Sequence, residues 1–156
     1  MSNLRDIKTL YGIMNTVLLN TPATRVSIME SSNGGGVPTP GRPLNIRSLY
    51  EMNAVKTPTG KAVWSEKRPA GPQMVSVLGD LADDPTHSVR VSEMRDSDLL
   101  MLSLSMDAEV VIFHRLAVTG ERMLVLSVFL GQDDELSADS SVVIQEAASA
   151  ISAIVR

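Results

Sequence analysis

Apolar positions recur every three or four residues at the start of the chain. In "SNLRDIKTLYGIMNTVLLN" Leu4, Ile7, Leu10, Tyr11, Met14 and Leu18 share one helical face behind Ser2 as an N-cap, and the pattern stops at "NTP". This predicts an amphipathic helix. After Pro22 the period falls to two: Val26 and Ile28 alternate with Arg25, Ser27 and Met29, the pattern of a half-buried strand. A second alternating run, "NIRSLYEMN", sets Ile46, Tyr50 and Met52 on one face. Between the two runs lies "SSNGGGVPTPGRPLNIRS", with three consecutive glycines and three prolines. Strands on both sides make it a long mobile hairpin connection within one sheet, not a linker between domains.

Further along, "TGKAVWSEKR" reads as a short helix ended by Pro69, and residues 74–78 of "PAGPQMVSVLGDLADDPTH" as a short strand or extended segment. "SVRVSEMRDSDLLMLSLSM" predicts an extended lead-in and then a helix capped by Asp96, with Leu99, Leu100 and Leu104 inward. "AEVVIFHRLAV" and "ERMLVLSVFLG" are apolar on both faces and joined by the tight "VTGE" turn, so they belong at the centre of the sheet. "SADSSVVIQEAASAISAIVR" places Val143, Ala147, Ile151 and Ile154 at helical spacing, and its alanines at 147, 148, 150 and 153 let another element approach closely. Helices mixed with antiparallel strands in this order indicate an α+β layered domain.

Composition narrows the chemistry. A chain of 156 residues, 44% hydrophobic, fits a single domain over residues 1–156. It contains no cysteine, which excludes disulfides, thiolate nucleophiles, sulfur-ligated zinc and thioether-linked chromophores. No apolar run is long enough to span a bilayer and the first residues carry charge, so no membrane association and a cytoplasmic location are expected. The net charge of −4 argues against a nucleic-acid partner. Charge is uneven, however: between Arg42 and Arg68 six basic residues face two acids, a local +4 that leaves −8 on the rest. This segment is either a solvated face or a site for an anion.

Neither glycine-rich stretch is a phosphate loop. "GGGVPTPGRP" runs into prolines that forbid an immediate helix, and in "PTGKAVW" Ala62 stands where a magnesium-binding hydroxyl is needed. Asp133, Asp134 and Glu135 suit a helix start better than calcium, and neither His114 nor His87 has a second histidine at metal spacing. His87 is expected in a solvated loop. No metal, no cofactor and no catalytic constellation is expected.

In "RLAVTGERMLVLSV" the residues Arg115, Leu116, Gly120, Val125 and Leu126 fall in register with a strand pair that closes in Pro-Leu, three residues, Gly, three residues, Gly-Val-Leu. This resembles the GAF domain, a relative of the PAS and profilin-like sheets, with Arg115 in place of the proline and Leu124 in place of the second glycine. "TGKAVWSEKRP" is similar to the helix that precedes the family's variable ligand loops. The resemblance implies a central antiparallel sheet of about five to six strands, terminal helices packed on one face, and loops or short helices on the other. It departs from cyclic-nucleotide-binding members, because "FLGQDDELSADS" offers Gly131 and Gln132 where those carry Asn-Lys, with only Leu136 and Asp139 near the later motif positions. The absence of cysteine rules out the chemistry of free methionine sulfoxide reductase and a cysteine-linked bilin.

The resemblance implies a non-catalytic sensory module that holds a small anionic molecule between the sheet and residues 56–100, and pairs as a homodimer through its first and last helices. Candidate ligand-binding residues are Tyr50, Lys56, Lys61, Trp64, His114 and Arg115. Tyr50 and Trp64 serve either as core filler or as stacking platforms. His114 and Arg115 are successive strand residues, so one faces the helices and the other the opposite layer, where a guanidinium needs a carboxylate or a ligand. The alternative is an interaction protein, such as an accessory subunit of a phage particle or a transcription complex, in which Leu124 fills the space of a ligand.

Overall fold

The computed structural model describes residues 4–32, 44–54, 64, 67–95, 97–131 and 138–155. Its elements run α1 (Leu4–Asn20), β1 (Ala23–Ser32), β2 (Asn45–Asn53), β3 (Arg68–Pro69), α2 (Pro72–Asp83), β4 (Thr86–Arg90), a short 3-10 turn (Val91–Glu93), α3 (Asp98–Ser105), β5 (Val110–Thr119), β6 (Arg122–Leu130) and α4 (Ala138–Val155). The strands form one six-stranded sheet in the order β3-β2-β1-β6-β5-β4, with antiparallel pairing throughout. The β5–β6 hairpin closes between Thr119 and Arg122, and Gly120 takes a positive φ of 59° at the first central position, where a type II′ turn demands it.

Each face of the sheet has its own apolar layer. On one face Leu10, Met14 and Val17 of α1 and Ile144, Ala147 and Ile151 of α4 pack against Val26, Ile28, Leu126 and Val128. On the other, Met74, Val77, Leu78 and Leu81 of α2, Leu99 and Leu102 of α3, and Trp64 cover Met29, Val111, Phe113, Val125 and Phe129. The terminal helices therefore share a face, as the α+β reading requires. β1, expected to be half-buried, is buried along almost its whole length. It lies between β2 and β6 and under both layers, so its polar positions are interior too.

Several local expectations are corrected. Opposite Ile28 lies Tyr50 and opposite Met29 lies Ser48, which leaves Leu49 as the extra residue of a β-bulge. The bulge reverses the face phase of β2, so Ile46 joins the α2/α3 layer while Tyr50 and Met52 pack toward α1 and α4. Residues 74–78, read as extended, belong to helix α2, which opens with Pro72 in its first turn after Gly71. Met74, Val77, Leu78 and Leu81 form its buried stripe. Arg68, read as the end of a helix, pairs with Ile46 in the edge strand β3, and the rest of the helix expected over 59–68 lies outside the described residues except Trp64 and Lys67. Ser97, not Asp96, caps α3: its Oγ accepts from the Leu100 N–H at 3.2 Å. Leu99 and Leu102 face inward from α3, while Leu104 is 57% exposed. His87 lies on strand β4 rather than in a loop, its Nε2 3.4 Å from Asp80 Oδ2. The triple glycine and the prolines after it fall within residues 33–43, outside the described residues.

Candidate functional site

A charged side chain with no exposed surface sits in the middle of the sheet. Arg25 of β1 is 0% exposed and points into the α2/α3 layer, where its guanidinium carbon lies 5.8 Å from the Phe129 ring centroid. Its Nη1 is 2.6 Å from Glu51 Oε2 of β2, and its Nη2 donates to Ser48 Oγ at 3.2 Å. The Nη1–Oε2 contact is short as a charge pair but poorly aligned, so it does not count as a hydrogen bond for either atom. Burial pushes the Arg25 pKa down, and the adjacent Glu51 charge opposes that shift.

Ser48 ties this arginine to Trp64. The Ser48 backbone N–H donates to the Trp64 carbonyl at 2.6 Å while its hydroxyl accepts from Arg25. Trp64 is 2% exposed, and the Arg68 guanidinium stands 5.7 Å from its ring centroid, held there by Asp98 at the start of α3, Nη2 to Oδ2 at 2.5 Å. Behind Arg25 on β1, Ser27 Oγ and Ser127 Oγ are 2.6 Å apart and both residues are buried. Four donor atoms here are buried without a hydrogen-bond partner among the described residues: Arg25 Nε and Nη1, Trp64 Nε1 and Arg68 Nε, of which Arg25 Nη1 has the charge contact to Glu51. Buried N–H groups are rarely left so, and each needs an explanation.

Of the described candidate ligand-binding residues, only Trp64 lies in this cluster. Tyr50, displaced to the other face by the bulge, meets Tyr11 edge-to-face at 5.9 Å and 89°. His114 also lies on the α1/α4 face, with Nδ1 3.3 Å from Thr86 Oγ1, beside an open groove of about 430 Å³ whose other walls include Pro85, Gln145, Ser149 and Ser152. Burial lowers its pKa. Arg115 turns the opposite way, and its Nη1 donates to the carbonyls of Leu81 at 2.8 Å and Ala82 at 3.2 Å, where the end of α2 carries partial negative charge. Lys56 and Lys61 lie outside the described residues. Two cations of the basic segment are already matched, Arg47 by Glu30 at 3.2 Å and Arg68 by Asp98. Leu124 packs with the α1/α4 layer, so its bulk does not fill the side that carries Arg25.

Among the described residues no group of three His, Cys, Asp or Glu side chains is placed to hold a metal ion, and no helix is long and apolar enough to cross a membrane. No family model and no curated protein matches the sequence. Solved structures do match. The GAF domain of a two-component sensor histidine kinase from Bacillus halodurans is 12% identical with a TM-score of 0.68, over 99% of this chain and 95% of that one. The chain has a GAF-like fold. A far-red cyanobacteriochrome photoreceptor is similar to it at 12% identity and TM-score 0.64, over 95% of this chain and 84% of the other. A GAF domain/HD domain protein from Geobacter sulfurreducens follows at 10% and 0.62, over 96% and 91%. Within the GAF-like frame, Arg25, Glu51 and Trp64 lie on the face of the sheet opposite the terminal helices.

Proposed function

We propose that this GAF-like chain is a non-catalytic sensory module that binds a small anionic molecule on the α2/α3 side of its sheet, with Arg25 as the anchor. The observation that carries the reading is the set of buried donors with no hydrogen-bond partner among the described residues, at Arg25 Nε, Trp64 Nε1 and Arg68 Nε. An anion with several acceptor atoms satisfies such donors, and a site that pays for their burial without a ligand gains nothing from keeping them. Thermal shift of the full chain against a panel of nucleotides and carboxylate metabolites tests it, with native mass spectrometry of freshly purified protein to detect a retained molecule. A rise in Tm that disappears in Arg25→Met is the expected result. A flat panel together with a spectrum free of small molecules refutes it.

A homodimer through α1 and α4 belongs to the same proposal. The two helices lie side by side on one face, and Leu4, Leu19 and Val142 are exposed on them at 84%, 75% and 51%. Light scattering that reports a monomer at micromolar concentration defeats this part. One observation favours the second reading, an interaction protein with a filled pocket. The layer around Arg25 is closely packed with Met29, Phe113, Phe129, Leu81 and Leu102, none more than 3% exposed. Under that reading the panel stays flat and a pull-down returns a protein partner.

A further inference from the structure

We infer that Glu51 is a built-in stand-in for the ligand: its carboxylate occupies the place on Arg25 that a carboxylate of the bound molecule takes, and binding exchanges one for the other. The inference rests on the proposed function and names the chemical class of the molecule. Three features of the pair support it.

The first is the difference in access. Arg25 has no exposed surface, whereas the Glu51 side chain keeps 24% of its own. Of the two, only the glutamate has surface in water and can turn out to it. The second is the quality of the contact. Tethered to β2, the Glu51 carboxylate reaches Nη1 out of line and leaves Nε with no partner among the described residues. A guanidinium binds a free carboxylate side-on through two parallel N–H bonds, so an untethered carboxylate can make the pair that Glu51 does not. The third is charge. Removing the anion from a buried guanidinium is strongly unfavourable, so Glu51 leaves only as another anion arrives. A planar monoanion keeps the buried charge balanced, whereas a phosphate dianion leaves an excess negative charge there. The class is a small monocarboxylate.

The test removes the tether and supplies a free carboxylate. Glu51→Ala in the full chain is titrated with sodium acetate, with sodium chloride at equal ionic strength as control, and Tm is followed. Acetate should raise the Tm of E51A saturably toward the wild-type value, bind it more than tenfold tighter than it binds wild type, and have no specific effect on the R25M/E51A double variant. If E51A is unfolded without additive, acetate should restore its native circular dichroism. The inference is overturned if acetate acts no differently from chloride, fails to restore an unfolded E51A, or stabilises the double variant equally. Rescue of E51A alongside a wild type that binds nothing supports the exchange geometry and counts against the sensory reading. A wild type that binds panel ligands without rescue of E51A sinks this inference alone.

Discussion

The isosteric change Glu51→Gln isolates the charge of the buried pair. It keeps the size of the side chain and an acceptor oxygen but removes the anion, so the fully buried Arg25 is left, among the described residues, with neutral partners alone: the introduced amide oxygen, Ser48 Oγ at 3.2 Å and the face of Phe129 at 5.8 Å. Removing one partner from a buried ion pair costs about 3–5 kcal/mol. Because Glu51 is 24% exposed, water already screens part of the pair, which places the expected cost near the low end, about 3 kcal/mol. For a chain of this size each kcal/mol moves Tm by about 2–4 °C, so E51Q should melt about 6–12 °C below wild type. The reverse change, R25M, leaves a carboxylate that can turn toward water and should cost less, about 1–2 kcal/mol, mostly in packing. The double variant R25M/E51Q has no buried charge left to satisfy and should fall well short of the summed losses, since replacing a buried pair by neutral groups is often nearly neutral. Urea unfolding of all four proteins, analysed as a double-mutant cycle, measures the coupling. An E51Q within about 0.5 kcal/mol of wild type, or singles that simply add, refutes the idea that this pair is a buried, mutually dependent unit.

Other expectations concern separate parts of the molecule. Burial holds the folded-state pKa of His114 below its ordinary 6.5. As pH falls through that value the unfolded chain gains a proton that the folded chain resists, so the stability contribution is complete above about pH 6.5 and is lost below it. Wild type should therefore lose more stability than H114Q between about pH 7.5 and 5 in urea titrations, and parallel profiles contradict this. S27A leaves the buried Ser127 hydroxyl without its 2.6 Å partner and should cost about 1–2 kcal/mol, with S27A/S127A less harmful than two such losses; strict additivity is the contrary result. R115M releases the Leu81 and Ala82 carbonyls and should cost about 1 kcal/mol while speeding amide exchange in the last turn of α2, and unchanged exchange there argues against a capping role.

The pattern of the chain was most legible where burial is symmetric. β5 and β6 are apolar on both faces because both faces are covered, and α1 and α4 carry one stripe each because each has one buried side. Helix α2 is hidden among its turn residues: Gly79 reads as a break, yet it lies off the buried stripe and a Cβ there would meet nothing within 4 Å, so the glycine marks an open surface and not a turn. The bulge at Leu49 leaves no mark in alternation, since one extra residue looks like any other, and for that reason the sequence alone puts Ile46 and Tyr50 on a common face. Arg25 was hidden by its type. An arginine in a strand reads as the solvent side, and only its company, Ser27, Ser31 and Ser32 at neighbouring polar positions, hinted that this strand carries small hydroxyls suited to an interior. Its acidic partner comes from the adjacent strand, a pairing that needs the register before it can be seen.

The two apolar layers have no member in common, and β1 contributes to both: Met29 on one side, Val26 and Ile28 on the other. β2, β5 and β6 do the same, so the backbone of the sheet is the wall that the two compartments share. Arg25 and Val26 are joined by one planar peptide and face opposite layers, so a displacement of the backbone at that point bears on both. The terminal helices that rest on Val26 would then register an event on the far side of the sheet, with no hinge or domain movement required.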